Sequence, residues 1–415
     1  MPRGETTPGL EPGDRAEVRV AQAWFWDGYY VRRGVDLQHR YGRDALSVTD
    51  LDLLGYLISP ALTAQKYIGE VKTGKSSSTP RPLDRALWVR GLRELVKAEG
   101  AEVTTAFRAS ADVRGFTRTF GVTIQHLDDL EARERRLYVD DIVDCGSQGD
   151  TIALLIKQVH KQLKGDADLE RAFWFLRSEV WFLDPFDAIK RNIGLLRELR
   201  PRWSDGLDTG SLQALRWLYA ESISVLGLQL ALIAGVAVTM DVSSFRELAL
   251  ARLSVGDIPL SAMTRISDRV DRYVSELLKH FDAPVDVRME ALGAVMPAAP
   301  EYAEPLLELV QRLATQVGAT SRLPRQLDLL IFERLARARS IRSDAARRLG
   351  FGPATERLVK LVAAFLRGQV GLPPAVDHAL TASLFSTRGT PVDQQALFEP
   401  EPEHADEHQA NQAKP

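Results

Sequence analysis

Cysteine is almost absent from this chain: Cys145 is the only one in 415 residues. That excludes an intrachain disulfide and any metal centre built from several cysteines, and it fits a reducing, cytoplasmic setting. With no histidine beside it, Cys145 reads as a small buried apolar residue rather than a nucleophile. Charge of one sign is also lacking, since the formal net charge is only -3. Any contact with a polyanion must therefore come from a local basic patch rather than from the chain as a whole. The opening residues, MPRGETTPGLEPGD, hold no apolar run, so no signal peptide is expected and residues 1–13 are expected to be disordered. No clean repeat length emerges, so a solenoid is not expected.

Long uncharged runs are scarce too, and the one at residues 222–240, SISVLGLQLALIAGVAVTM, approaches the length of a bilayer crossing. Ser222, Ser224, Gln229 and Thr239 dilute it, and upstream Leu212, Leu215, Trp217 and Leu218 extend the apolar pattern past Arg216. A long central helix of a bundle is the expectation, with a membrane-associated helical protein as its rival. At 45% hydrophobic and 26% charged residues, the chain can bury a sizeable core, and its length suits two domains.

The chemistry concentrates in residues 46–75, LSVTDLDLLGYLISPALTAQKYIGEVKTGK. An alternating segment carries Asp50 and Asp52; after a turn near Ser59 and Pro60, a second carries Glu70, Val71 and Lys72. Alternate side chains of a strand share a face, so Glu70 projects with Lys72, and Asp50 with Asp52. Folding one segment back on the other gathers acids and an ammonium at one point, which is costly unless a cation or substrate uses them. A helix is expected over residues 15–27, with Gly28 as its stop. Asp14 with Glu17 three residues later matches a helix-start capping pattern. Further elements are expected as a helix over 83–97, a strand over 102–107, a helix over 111–120 and a strand at Val122 and Ile124.

The spacing Asp, about eighteen residues, Glu-x-Lys resembles the active site of the PD-(D/E)xK nuclease superfamily, and the element order resembles that family's core. The likeness covers residues 14–130. It implies an α/β domain over 14–150, a restriction-endonuclease-like three-layer core in which helices flank a mixed sheet. It further implies metal-dependent hydrolysis of DNA phosphodiesters, as an endonuclease, with RNA as an open alternative. Asp52, Glu70 and Lys72 would be catalytic. Asp52, Glu70 and the Val71 backbone carbonyl would hold Mg²⁺, or Mn²⁺ in its place, with Asp50 and Glu17 as further candidate ligands. Lys72 would orient or activate the attacking water. No Pro-Asp dipeptide precedes the first acid, and no Gln-x-x-x-Tyr element follows Lys72, so the RecB-type subgroup is not implied.

Residues 66–118 hold eleven Lys or Arg against six Asp or Glu. Lys75 and Arg81 are the candidate nucleic-acid contacts there, beside a Ser-rich loop that reads as flexible. Residues 151–390 read as a helical domain for partner docking, oligomerisation or target selection, with helices over 152–163, 169–183, 211–239, 262–280, 305–317, 326–338 and 354–367. The aromatics Phe173, Trp174, Phe175, Trp181 and Phe182 suit a core or domain interface. An arginine-rich run at 333–348 reads as a solvated face, and Ser343 as a cap opening a loose helix-turn-helix likeness. Residues 391–415 turn polar and acidic, as a disordered tail does. A nuclease-like protein that binds nucleic acid or a partner without cutting is the main alternative.

Overall fold

A computed structural model describes residues 10–41, 44–74, 80–137, 145–204, 206–255, 260–281 and 299–383; side chains are described outside 38–47, 255–268 and 271. Lys75, the serine-rich loop and the acidic tail lie outside the described residues.

Helix α1, Pro12–Asp27, opens with proline in its first turn, where the missing N–H costs nothing, and stops at Gly28, whose φ of 119° suits a residue without a Cβ. The expected capping pattern is corrected: Glu11 is the N-cap without a side-chain bond, and Asp14 pairs with Lys157 instead. Strands β1, Tyr29–Tyr41, β2, Asp44–Ile58, and β3, Ala64–Lys72, follow, then α2, Pro82–Leu95, β4, Gly100–Thr105, α3, Ala111–Arg118, β5, Val122–His126, and α4, Leu127–Leu137. The turn between β2 and β3 closes where Ser59 N–H donates to the Thr63 carbonyl at 2.9 Å. Ser110 caps α3 by accepting the Val113 N–H at 3.2 Å.

The five strands form one sheet in the order β1-β2-β3-β4-β5. The first three are antiparallel neighbours, while β3, β4 and β5 are parallel, joined by crossovers through α2 and α3. Val31, Leu53 and Val71 share one face and pack on Ala16, Val20 and Trp24 of α1 and Leu130 of α4. On the other face Arg85 of α2 meets Glu70, and Tyr30, Arg32 and Tyr56 meet the helices that follow. An α/β core of helix, sheet and helix layers is the result.

The rest of the described chain is mostly helical. It contains α5, Asp150–Leu163, α6, Ala167–Arg177, α7, Pro185–Leu199, α8, Thr209–Val238, α9, Val242–Val255, and α10, Leu260–His280. Further helices run Ala303–Ala314, Leu323–Ile331, Ser343–Arg348, Pro353–Gln369 and Pro374–Thr381. Helix α8 is long and apolar enough to cross a membrane, yet 72% of its most apolar window is buried inside the protein. It is the central core helix. Phe173 and Trp181 are buried, and Trp181 turns its carbonyl to the Tyr56 hydroxyl, so part of the aromatic cluster lies between sheet and helices. The described residues up to Ala382 belong to one compact unit.

Two clusters tie sheet to helices. Arg32 on β1, 4% exposed, donates to Glu221 of α8 at 2.6 Å and lies 2.8 Å from Asp328 of the helix Leu323–Ile331. Cys145 sits with Phe25, Trp26, Leu329, Ala345 and Leu349 in a second core cluster, as expected of a buried small side chain. Ser343 is not a cap, because the helix begins at that residue and Arg342 is the N-cap. The arginine-rich run is largely internal in its contacts: Arg337 and Arg339 pair with Glu333, Arg342 with Asp344, and Arg334 donates to the carbonyls of Ala379 and Ala382.

Candidate active site

The antiparallel ladder of β2 and β3 ends at the pair Leu53 and Gly69. One residue further, the two strands part and a side chain replaces a backbone partner. The Asp52 Oδ2 accepts the Val71 N–H at 2.7 Å, which fixes the carboxylate at the mouth of the gap. Asp52 and Glu70 are only 6% and 3% exposed. Lys72 Nζ lies 2.6 Å from Glu70 Oε1 and 3.4 Å from Asp52 Oδ2, so one ammonium links both acids. The sharing of a strand face by Glu70 and Lys72 is what brings this about.

Burial, and then repulsion from Glu70, pushes the Asp52 carboxyl well above its ordinary value, against the opposing pull of Lys72 and the Val71 N–H. Burial by itself would lower the Lys72 ammonium; Asp52 and Glu70 outweigh it and hold Lys72 above its usual range. Glu17 on α1 belongs to the same electrostatic neighbourhood. Burial and then the Asp52 charge raise it from 4.5 to about 7, with Arg33 and Lys72 pulling the other way. Glu17 thus lies within α1, close enough to Asp52 for their charges to interact. Asp50 is exposed, opposite Asp36 of β1, and adds only the weakest of the contributions that raise Asp52.

Arg85 is the participant that the sequence did not reveal. It stands on the first turn of α2, and its Nε donates to Glu70 Oε1 at 2.8 Å while Nη2 reaches the same oxygen. Its guanidinium carbon lies 3.8 Å from the centroid of the Trp88 ring, one turn along. Helical periodicity places Arg85 near Trp88, but only the β3-α2-β4 crossover carries it to Glu70. Arg81 is exposed at the N-cap of α2, one turn before Arg85, and its carbonyl accepts the Arg85 N–H.

Among the described residues, no three His, Cys, Asp or Glu are drawn tightly enough together to enclose a metal. Yet the donors are hard carboxylate oxygens, and burial, then repulsion between neighbouring acids, favours the protonation of Asp52 and Glu17, a strain that a cation bound to the ionised forms relieves. By donor chemistry such carboxylates suit Mg²⁺ or Mn²⁺; Asp52 and Glu70 are the residues that would hold it, with Glu17 within electrostatic reach. No family model, curated protein or solved structure matches the chain.

Proposed function

We propose that this protein is a metal-dependent nuclease that hydrolyses DNA phosphodiester bonds as an endonuclease, on a restriction-endonuclease-like core. The observation that carries the reading is the convergence of Asp52, Glu70 and Lys72 where β2 and β3 part. The element order helix, three strands, helix, strand, helix, strand agrees with the resemblance drawn from residues 46–75. Asp52 and Glu70, with the Val71 carbonyl, would hold Mg²⁺ or Mn²⁺, and Glu17 would supply a further carboxylate; Asp50 is the weaker candidate because it is exposed. The cation would lower the charge at the phosphorus and the pKa of an attacking water. Lys72, held between two acids, stays protonated and is fit to orient that water or to stabilise negative charge on the phosphate. Lys75 and Arg81 would contact the nucleic-acid backbone, and the helices after residue 150 would serve docking, oligomerisation or target choice.

The test is incubation of circular and linear DNA, and of single-stranded DNA and RNA, with Mg²⁺, Mn²⁺ or chelator. Cleavage that requires the cation and disappears in Asp52→Asn and Glu70→Gln supports the reading. Cation-independent cleavage, or full activity in both variants, overturns it. One observation favours a second reading, a nuclease-like protein that binds without cutting: Arg85 already neutralises Glu70. That reading predicts DNA retention with no cleavage under any of these conditions.

A further inference from the structure

We infer that Arg85 is an exchangeable counter-ion: it holds Glu70 in one state and a backbone phosphate of the nucleic-acid substrate in the other, and a divalent cation at Glu70 drives the exchange. The inference rests on the nuclease reading and adds to it a phosphate subsite on α2.

Asp52 and Glu70 carry two negative charges, and Lys72 and Arg85 carry two positive ones in contact with them. A divalent cation added to that group leaves two positive charges in excess around a Glu70 that is 3% exposed, or one once Glu17 is ionised. Repulsion at such short range in a poorly solvated place is worth more than it would be in water. One of the protein's cations has to yield. Lys72 is tied to the acids by its place on β3, two residues from Glu70. Arg85 comes from a different element, α2, so it can withdraw without moving the strand that carries Glu70.

Trp88, 38% exposed, stacks on the guanidinium at 3.8 Å while Arg85 pairs with Glu70, so the ring can keep contact with the charge as it turns from the acid towards the rim of the site. A guanidinium there presents paired N–H donors, the geometry that phosphate oxygens accept in bidentate fashion. Arg81, exposed one turn earlier on the same helix, extends the positive surface along the path a backbone would take. The incoming phosphodiester supplies the negative charge that Arg85 gives up at Glu70, so cation and substrate binding support each other.

The experiment uses the full chain as wild type, Arg85→Gln, Trp88→Phe and Glu70→Gln. Mg²⁺ is titrated calorimetrically without DNA, and binding of a fluorescent DNA duplex is followed by anisotropy with Ca²⁺ in place of Mg²⁺. With its competitor removed, Arg85→Gln is expected to bind Mg²⁺ about tenfold more tightly and the duplex about tenfold more weakly. Tryptophan fluorescence should change on Mg²⁺ addition in wild type and lose that component in Trp88→Phe. Unchanged or weaker Mg²⁺ binding by Arg85→Gln, or an unchanged duplex affinity, overturns the exchange. The metal site that the nuclease reading requires is judged separately: it stands if wild type binds Mg²⁺ and Glu70→Gln does not, whatever Arg85→Gln shows. It falls, and the exchange with it, if wild type binds no Mg²⁺.

Discussion

Val71 donates its backbone N–H to Asp52 Oδ2 at 2.7 Å, across a gap where the β2 and β3 ladder has already ended. The carboxylate is thereby positioned by the backbone of the strand that carries Glu70 and Lys72. Since those acids and that ammonium are brought together by main-chain geometry, conservative amides at the acids should fold but fail to act. Asp52→Asn and Glu70→Gln are each expected to lower the DNA cleavage rate at least roughly a hundredfold, about 2.7 kcal/mol of transition-state stabilisation. Single-turnover cleavage beside circular dichroism checks both halves of the statement.

Glu17 and Asp52 are both raised, Glu17 to about 7, chiefly by burial. An acid whose folded pKa exceeds its unfolded value stays protonated in the fold while the unfolded chain ionises. Stability should therefore fall as pH rises from about 4.5 to about 7 on account of Glu17, then level off. Glu17→Gln should flatten that slope in denaturant melts. Because a cation needs the ionised forms, Mg²⁺ affinity should rise over the same window and binding should release protons, measurable by calorimetry in buffers of different ionisation enthalpy.

Arg32, Glu221 and Asp328 form a buried ionic group joining β1, α8 and the helix Leu323–Ile331, with Ser224 and Ser147 completing the hydrogen bonds to Arg32. Removing the arginine leaves two desolvated carboxylates facing each other. Arg32→Ala should cost about 3–5 kcal/mol in denaturant unfolding, well beyond the loss from an exposed ion pair such as Arg312 with Glu308.

Gly235 of α8 faces the turn between β2 and β3, where a Cβ would stand 2.5 Å from the Leu62 carbonyl oxygen. Gly235→Ala should force helix and turn apart at a cost of about 1–3 kcal/mol. Thermal melting reads this, and cleavage activity should drop with it if the turn sets the spacing of β2 and β3. By contrast, Gly318, with nothing within 4 Å of the same atom, should accept alanine with little change.

Much of the element order was legible in the chain. Apolar spacing over residues 83–97 and 111–120 announces α2 and α3, Gly28 marks a stop, and the apolar spacing of residues 211–239 announces a core helix. Strand β1 was not legible. Its segment YYVRRGVDLQHRY sets Arg32 and Arg33 among its apolar residues, and Arg32 is buried only because Glu221 and Asp328 come to meet it. Helix α4, LDDLEARERRL, escaped notice because charge dominates it and only Leu130 and Glu134 are buried. Helices α7 and α9 were likewise not anticipated.

The candidate site divides along the same line. Periodicity is a property of neighbours along the chain, so a single strand is enough to say that Glu70 and Lys72 share a face and that Asp52 belongs to a second strand within reach. Which of two acids is buried, that Glu17 of α1 comes within reach of the Asp52 charge, and that Arg85 occupies Glu70 depend on where separate elements cross. Those crossings follow from how the sheet twists and packs between its helices, a sum over contacts distant in sequence that no local pattern encodes.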